Sequence, residues 1–99
     1  MAELSKKLHR AEDGQLRFWC PGCKTLHGIY VAPRPDGKLH PQWGYNGNPD
    51  SPTFTPSILV TWEGPTMICH SFVTDGQIRF LSDCTHQLAG QTVKLPDFP

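Results

Sequence analysis

Three observations predict a mainly β fold. The ten prolines and nine glycines of this 99-residue chain are so dense between residues 20 and 65 that no long helix fits there, because proline lacks the N–H and obstructs the preceding turn. Several stretches alternate apolar and polar residues with period two, as a half-buried strand does. An Asp75-Gly76 pair separates two such stretches, which is the chemistry of a two-residue hairpin. The length sets one domain with a thin core, since a chain of this size buries only about 60–65% of its unfolded surface.

The elements follow in order. Residues 1–14 are polar and read as a solvated arm, leaving 15–97 as a single domain. Leu16, Phe18 and Cys20 share one face of a first strand, with Arg17 and Trp19 on the other. Pro21-Gly22 turns the chain, and residues 25–31 return as a second strand rich in β-branched and aromatic residues. Arg34-Pro35-Asp36-Gly37 is a turn, residues 38–45 an extended piece, and Asn46-Gly47 another turn. The prolines at 49, 52 and 56 make residues 48–57 a stiff extended loop. Residues 58–62 read as a strand that Gly64-Pro65 ends.

The hairpin of 67–73 with 77–82 has its register set by the turn. Thr74 pairs with Gln77, Val73 with Ile78, and Ser71 with Phe80. Cys69 then falls opposite Ser82, with Cys84 a diagonal neighbour on the same face, while His70 points the other way. Ser82-Asp83 is expected to cap a short C-terminal helix ending at Gly90, followed by a strand over 91–95. The whole reads as a small, zinc-ribbon-like antiparallel sheet with that helix.

Four cysteines and five histidines carry the chemistry. Cys20-Pro21-Gly22-Cys23 is a knuckle that points two sulfurs at one place. The hairpin register offers Cys69 and Cys84 as a second pair. Zinc sites of four ligands are commonly built from two such pairs, so Cys20, Cys23, Cys69 and Cys84 are the expected Zn²⁺ ligands. Four thiolates leave a net charge of −2, and a histidine replacing one would relieve it. His86 is the first substitute, His27 the second and His70 the third, since alternation turns His70 away from Cys69. Such a site is worth about 10–16 kcal/mol in small peptides, against a whole-domain stability of about 5–15 kcal/mol.

Other classes are weaker. Nine Lys and Arg balance nine Asp and Glu, which removes the general electrostatic drive toward nucleic acid. Trp43, Tyr45 and Trp62 offer a binding surface or a stacking platform for bases, but packing under the Pro-rich loop accounts for them more directly. An open zinc position near His70, Asp83 and His86 would make a hydrolase-like enzyme. No nucleophile-elbow or H-E-x-x-H motif accompanies it. No apolar run approaches the roughly 20 residues of a membrane helix, and Met1–Arg10 lacks the apolar core of a signal peptide.

The strings Phe18-Trp19-Cys20-Pro21-Gly22-Cys23, Asn46-Gly47 with Pro52-Thr53-Phe54-Thr55-Pro56-Ser57, Cys69-His70-Ser71-Phe72, and Asp83-Cys84-Thr85-His86 through Val93 together resemble small phage and prophage proteins of unknown function. The resemblance runs over about residues 16–97. Such sequences sometimes carry an ammonia monooxygenase label, which a chain without a membrane segment does not fit. The resemblance implies a cytoplasmic setting in an infected or lysogenic bacterium. The leading expectation is a zinc-binding accessory module that engages a host or phage protein. Homo-oligomers are a further possibility and nucleic acid is not an expected partner.

Overall fold

The computed structural model describes residues 1–63 and 66–99; the turn expected at Gly64-Pro65 lies outside them. Nine strands form two antiparallel sheets, and no helix occurs among the described residues. None is therefore long and apolar enough to cross a membrane. The first sheet runs β1 (Ala2–Glu3), β2 (His9–Arg10), β3 (Leu16–Cys20), β4 (Thr25–Ile29). The second runs β5 (Gly44–Tyr45), β6 (Phe54–Trp62), β7 (Met67–Thr74), β8 (Gln77–Phe80), β9 (Thr92–Lys94).

The alternation in the sequence becomes the core. Leu16, Phe18 and Cys20 of β3 are buried, as are Ile58 of β6, Cys69 and Val73 of β7, and Ile78 and Phe80 of β8. Phe18 from the first sheet stacks on Phe54 from the second, ring centroids 6.3 Å apart. Residues 1–14 contribute β1, β2 and Leu8, which has no exposed surface. The β7–β8 register pairs Thr74 with Gln77, Val73 with Ile78 and Ser71 with Phe80, as the Asp-Gly turn dictates; Asp75 and Gly76 both have positive φ, at 50° and 76°.

Two local departures shape the site. Strand β6 begins at Phe54, inside the segment expected as a loop, and its pairing with β7 slips between Phe54 and Ile58. Four steps on β6 span two on β7, a bulge that contains Thr55, Pro56 and Ser57. The expected C-terminal helix is absent. Its backbone is spent elsewhere: Leu81 N–H donates to His70 O (2.9 Å) and Thr85 N–H to Ile68 O (2.9 Å), tying to β7 both ends of a turn that Cys84 N–H closes onto Leu81 O (3.2 Å). Residues 86–91 then close short turns, Ala89 N–H to His86 O and Gln91 N–H to Leu88 O, with Gly90 at φ 76°. Asp83 therefore caps nothing.

Candidate functional site

Two clusters of polar side chains meet on β7, on opposite faces. The inner one begins at the knuckle. Cys20 closes β3, and Lys24 N–H returns to Cys20 O at 2.8 Å through a left-handed Lys24, φ 56°. Cys23 N–H donates to Cys20 Sγ at 3.4 Å. Glycine at 22 lets the knuckle approach His86, whose ring a Cβ there would overlap. Cys69, inward on β7, brings its Sγ to 3.8 Å from Cys20 Sγ. Two thiolates at the corners of a tetrahedron of ~2.3 Å zinc–sulfur bonds would be about 3.8 Å apart.

His27 completes a group of four candidate donors. It lies on β4 opposite Phe18, is buried, and its Nε2 has no hydrogen-bond partner. An unpartnered buried nitrogen is costly unless it has a ligand to bind. The ligand atoms of Cys20, Cys23, His27 and Cys69 all lie within 4.8 Å of one another. Cys84, expected as the fourth thiolate, groups instead with Cys69 and His86. His86 Nε2 is also buried without a partner.

Protonation fits the donor set. Hydrogen bonding from Cys69 pulls the Cys20 thiol down to about 4, aided by His27 and the Cys23 amide and opposed by burial. Cys69 is driven far up, first by its bond to Cys20 and then by burial. Burial, then the charge on Cys20, pushes Cys23 up to about 12. A divalent cation bound among these sulfurs would favour the thiolate form of each.

The outer cluster contains His70, which alternation turns away from Cys69. Both of its ring nitrogens are engaged. Nε2 is 3.0 Å from Ser57 Oγ, and Nδ1 is 3.1 Å from Asp83 Oδ2. The tautomer that satisfies both carries its proton on Nδ1, donates it to the carboxylate, and accepts from the serine hydroxyl. His70 and Asp83 therefore hold each other and Ser57, and the open metal position expected around His70, Asp83 and His86 is not among the clusters formed by the described residues.

Each member is placed by its own local structure. The bulge in β6 turns Ser57 toward His70, a use of bulges common beside active sites. Trp43 Nε1–H donates to Ser57 O at 3.3 Å. Asp83 is held by its neighbour: Cys84 Sγ accepts from His70 N–H and donates to His70 O, both at 3.2 Å. Ile68 N–H donates to Thr85 Oγ1 on the other side. The site is shallow, with the side chains of His70 and Asp83 25% and 52% exposed.

The aromatic residues singled out in the sequence are partly buried against the core. Tyr45 packs on Phe54 at one end of nine-residue β6 (5.4 Å) and Trp62 near His27 at the other (6.4 Å). Ser57 escaped sequence reading because the Pro-rich string that ends on it reads as a loop and carries no nucleophile-elbow pattern. The bulge that aims it and the β6–β7 register are tertiary facts.

A serine hydroxyl, an imidazole and a carboxylate bonded in series define the type of site that serine hydrolases use for acyl transfer. The chain belongs to the family described as bacterial ubiquitination-like system serine protease (BubE), which matches residues 2–81. The matched span holds Ser57 and His70 and ends two residues before Asp83. No curated protein and no solved structure matches the chain.

Proposed function

We propose that this chain is a metal-stabilised serine protease acting on a protein of a bacterial ubiquitination-like system, with Ser57 as nucleophile, His70 as general base and acid, and Asp83 as the group that orients and charges His70. The observation that carries this reading is the pair of hydrogen bonds on His70, 3.0 Å to Ser57 and 3.1 Å to Asp83. The family description supports the same class. The bacterial or phage protein expected as a partner becomes, on this reading, the substrate.

The chemistry follows from the geometry. Ser57 Oγ attacks the carbonyl carbon of a peptide or isopeptide bond as its proton passes to His70 Nε2. The imidazolium is stabilised by Asp83. The tetrahedral intermediate collapses, the C–N bond breaks, and the leaving amine takes the proton from Nε2. Water then repeats the sequence on the Ser57 ester, giving a carboxylic acid and free serine. Cys20, Cys23, His27 and Cys69 would hold a metal ion, and zinc is the ion that suits thiolate and imidazole donors. Its role would be structural, because its donors come from β3, the knuckle after it, β4 and β7, the strand that bears His70.

The test is labelling with a fluorophosphonate, which reacts with activated serines. One label per chain on Ser57, lost in Ser57→Ala and His70→Ala, is the expected result. A folded protein that takes no label would overturn the reading.

A further inference from the structure

The outer face of the second sheet continues away from the triad as a set of cross-strand rows. In the β6–β7 pairing, Ile58 opposes Ser71 and Leu59 opposes His70, so Ser57 flanks the Phe72 position on the face that His70 occupies. Phe72 opposes Arg79, and Arg79 opposes Thr92. Beside that row lies a cleft of about 560 Å³, lined by Phe72, Thr74, Asp75, Gln77, Arg79 and Thr92, within the size range of small-ligand sites.

Arg79 is the charged centre of this cleft. Its guanidinium lies over the Phe72 ring, 5.0 Å from the centroid, a contact that leaves its N–H groups able to bind a ligand. Among the described residues no carboxylate lies within ion-pair range of it. The acidic lining residue, Asp75, sits beyond the Thr74–Gln77 pair at the hairpin turn, facing the Thr53 hydroxyl at 3.4 Å. Lys94, opposite Gln77, adds a second positive charge at the edge.

We infer that this cleft is a substrate subsite that receives an acidic side chain of an extended peptide, with Arg79 as its carboxylate-binding group. The inference rests on the Ser57–His70–Asp83 reading. The register fixes the position. Arg79 lies two strands from Ser57, about 10 Å at the usual strand spacing. An extended peptide advances ~3.3 Å per residue, so the acidic residue falls two or three positions from the scissile bond. A bidentate contact between guanidinium and carboxylate supplies the selectivity.

The probe is a peptide library from a protease-digested bacterial proteome, with new cleavage ends read by mass spectrometry and Ser57→Ala as the blank. Asp and Glu should be enriched two or three residues from the cleaved bond, and Glu→Gln in a single cleaved peptide should lower kcat/KM about tenfold. Arg79→Gln should erase the enrichment. Arg79→Glu should turn it toward Lys and Arg, a gain that a misfolded protein cannot produce. Ser57-dependent cleavage with no acidic enrichment, or enrichment that survives Arg79→Gln, overturns the subsite and leaves the triad standing. No Ser57-dependent cleavage overturns both.

Discussion

Cys69 and His70 are neighbours on β7, yet they belong to two sites built on different principles. Cys69 is buried, faces the first sheet, and meets Cys20, Cys23 and His27 within 4.8 Å. His70 is a quarter exposed and meets Ser57 and Asp83 through single hydrogen bonds. The inner cluster joins the two sheets; the outer one lies on the second sheet and the turn over 81–85 that is tied to it. Strand alternation alone separates them. The cysteine–histidine cluster should therefore govern folding and the triad should govern chemistry, with little crossover.

The largest effect is expected at the inner cluster. Removing the metal with a chelator, or replacing Cys69 with Ser, should abolish cooperative thermal unfolding and with it all activity. A structural zinc is worth about 10–16 kcal/mol in small peptides, comparable to the total stability of a domain this size, about 5–15 kcal/mol. Circular dichroism melts with and without chelator measure it. A chelated protein that melts unchanged would remove the metal from the account of the fold.

At the outer cluster the same comparison runs in reverse. Ser57→Ala should lower kcat/KM by roughly 10³–10⁶-fold while stability moves by less than about 0.5 kcal/mol. Asp83→Asn should cost roughly 10²–10⁴-fold, because the amide presents the wrong tautomer to His70. Unchanged melting curves beside lost activity would establish the division; a Ser57→Ala protein that unfolds would break it.

Much of the inner cluster is legible in the sequence, and almost none of the outer one is. Cys20-Pro21-Gly22-Cys23 announces its own geometry, and the Asp75-Gly76 turn fixes the register that turns Cys69 inward and His70 outward. Neither fact requires a distant residue to be located. The triad does. Ser57 sits in a proline-rich segment that reads as a loop, and only pairing with β7 converts it into a bulged strand. Asp83 reads as a helix cap because local propensity favours one, whereas Leu81 and Thr85 spend their amides on β7. His27 shows the same limit in milder form. Its strand was evident, but its choice over Cys84 depends on which partners the folded backbone leaves to each.

That choice gives the next prediction. His27→Ala should lower zinc affinity by at least tenfold, since it removes one of four donors, and should leave a reactive, unprotected knuckle. Cys84→Ala should retain the zinc and lower kcat about tenfold, because it frees His70 and Asp83 from their shared anchor. Metal content by mass spectrometry and thiol counting separates the two. The opposite pattern, zinc lost with Cys84 and kept without His27, would assign the four-thiolate set instead.

The smallest expected effect lies at Trp43. Its Nε1–H donates to Ser57 O at 3.3 Å, a bond long enough to contribute at the low end of the usual ~0.5–1.5 kcal/mol. Trp43→Phe keeps most of the aromatic packing and deletes that donor. If the bond serves to hold the bulge that aims Ser57, kcat should fall about threefold with KM unchanged, because a misplaced nucleophile weakens the transition state and not the encounter. If Trp43 serves packing alone, the melting temperature should fall by a few degrees while kcat stays where it was. The two outcomes place the residue on one side or the other of the division that β7 draws between folding and chemistry.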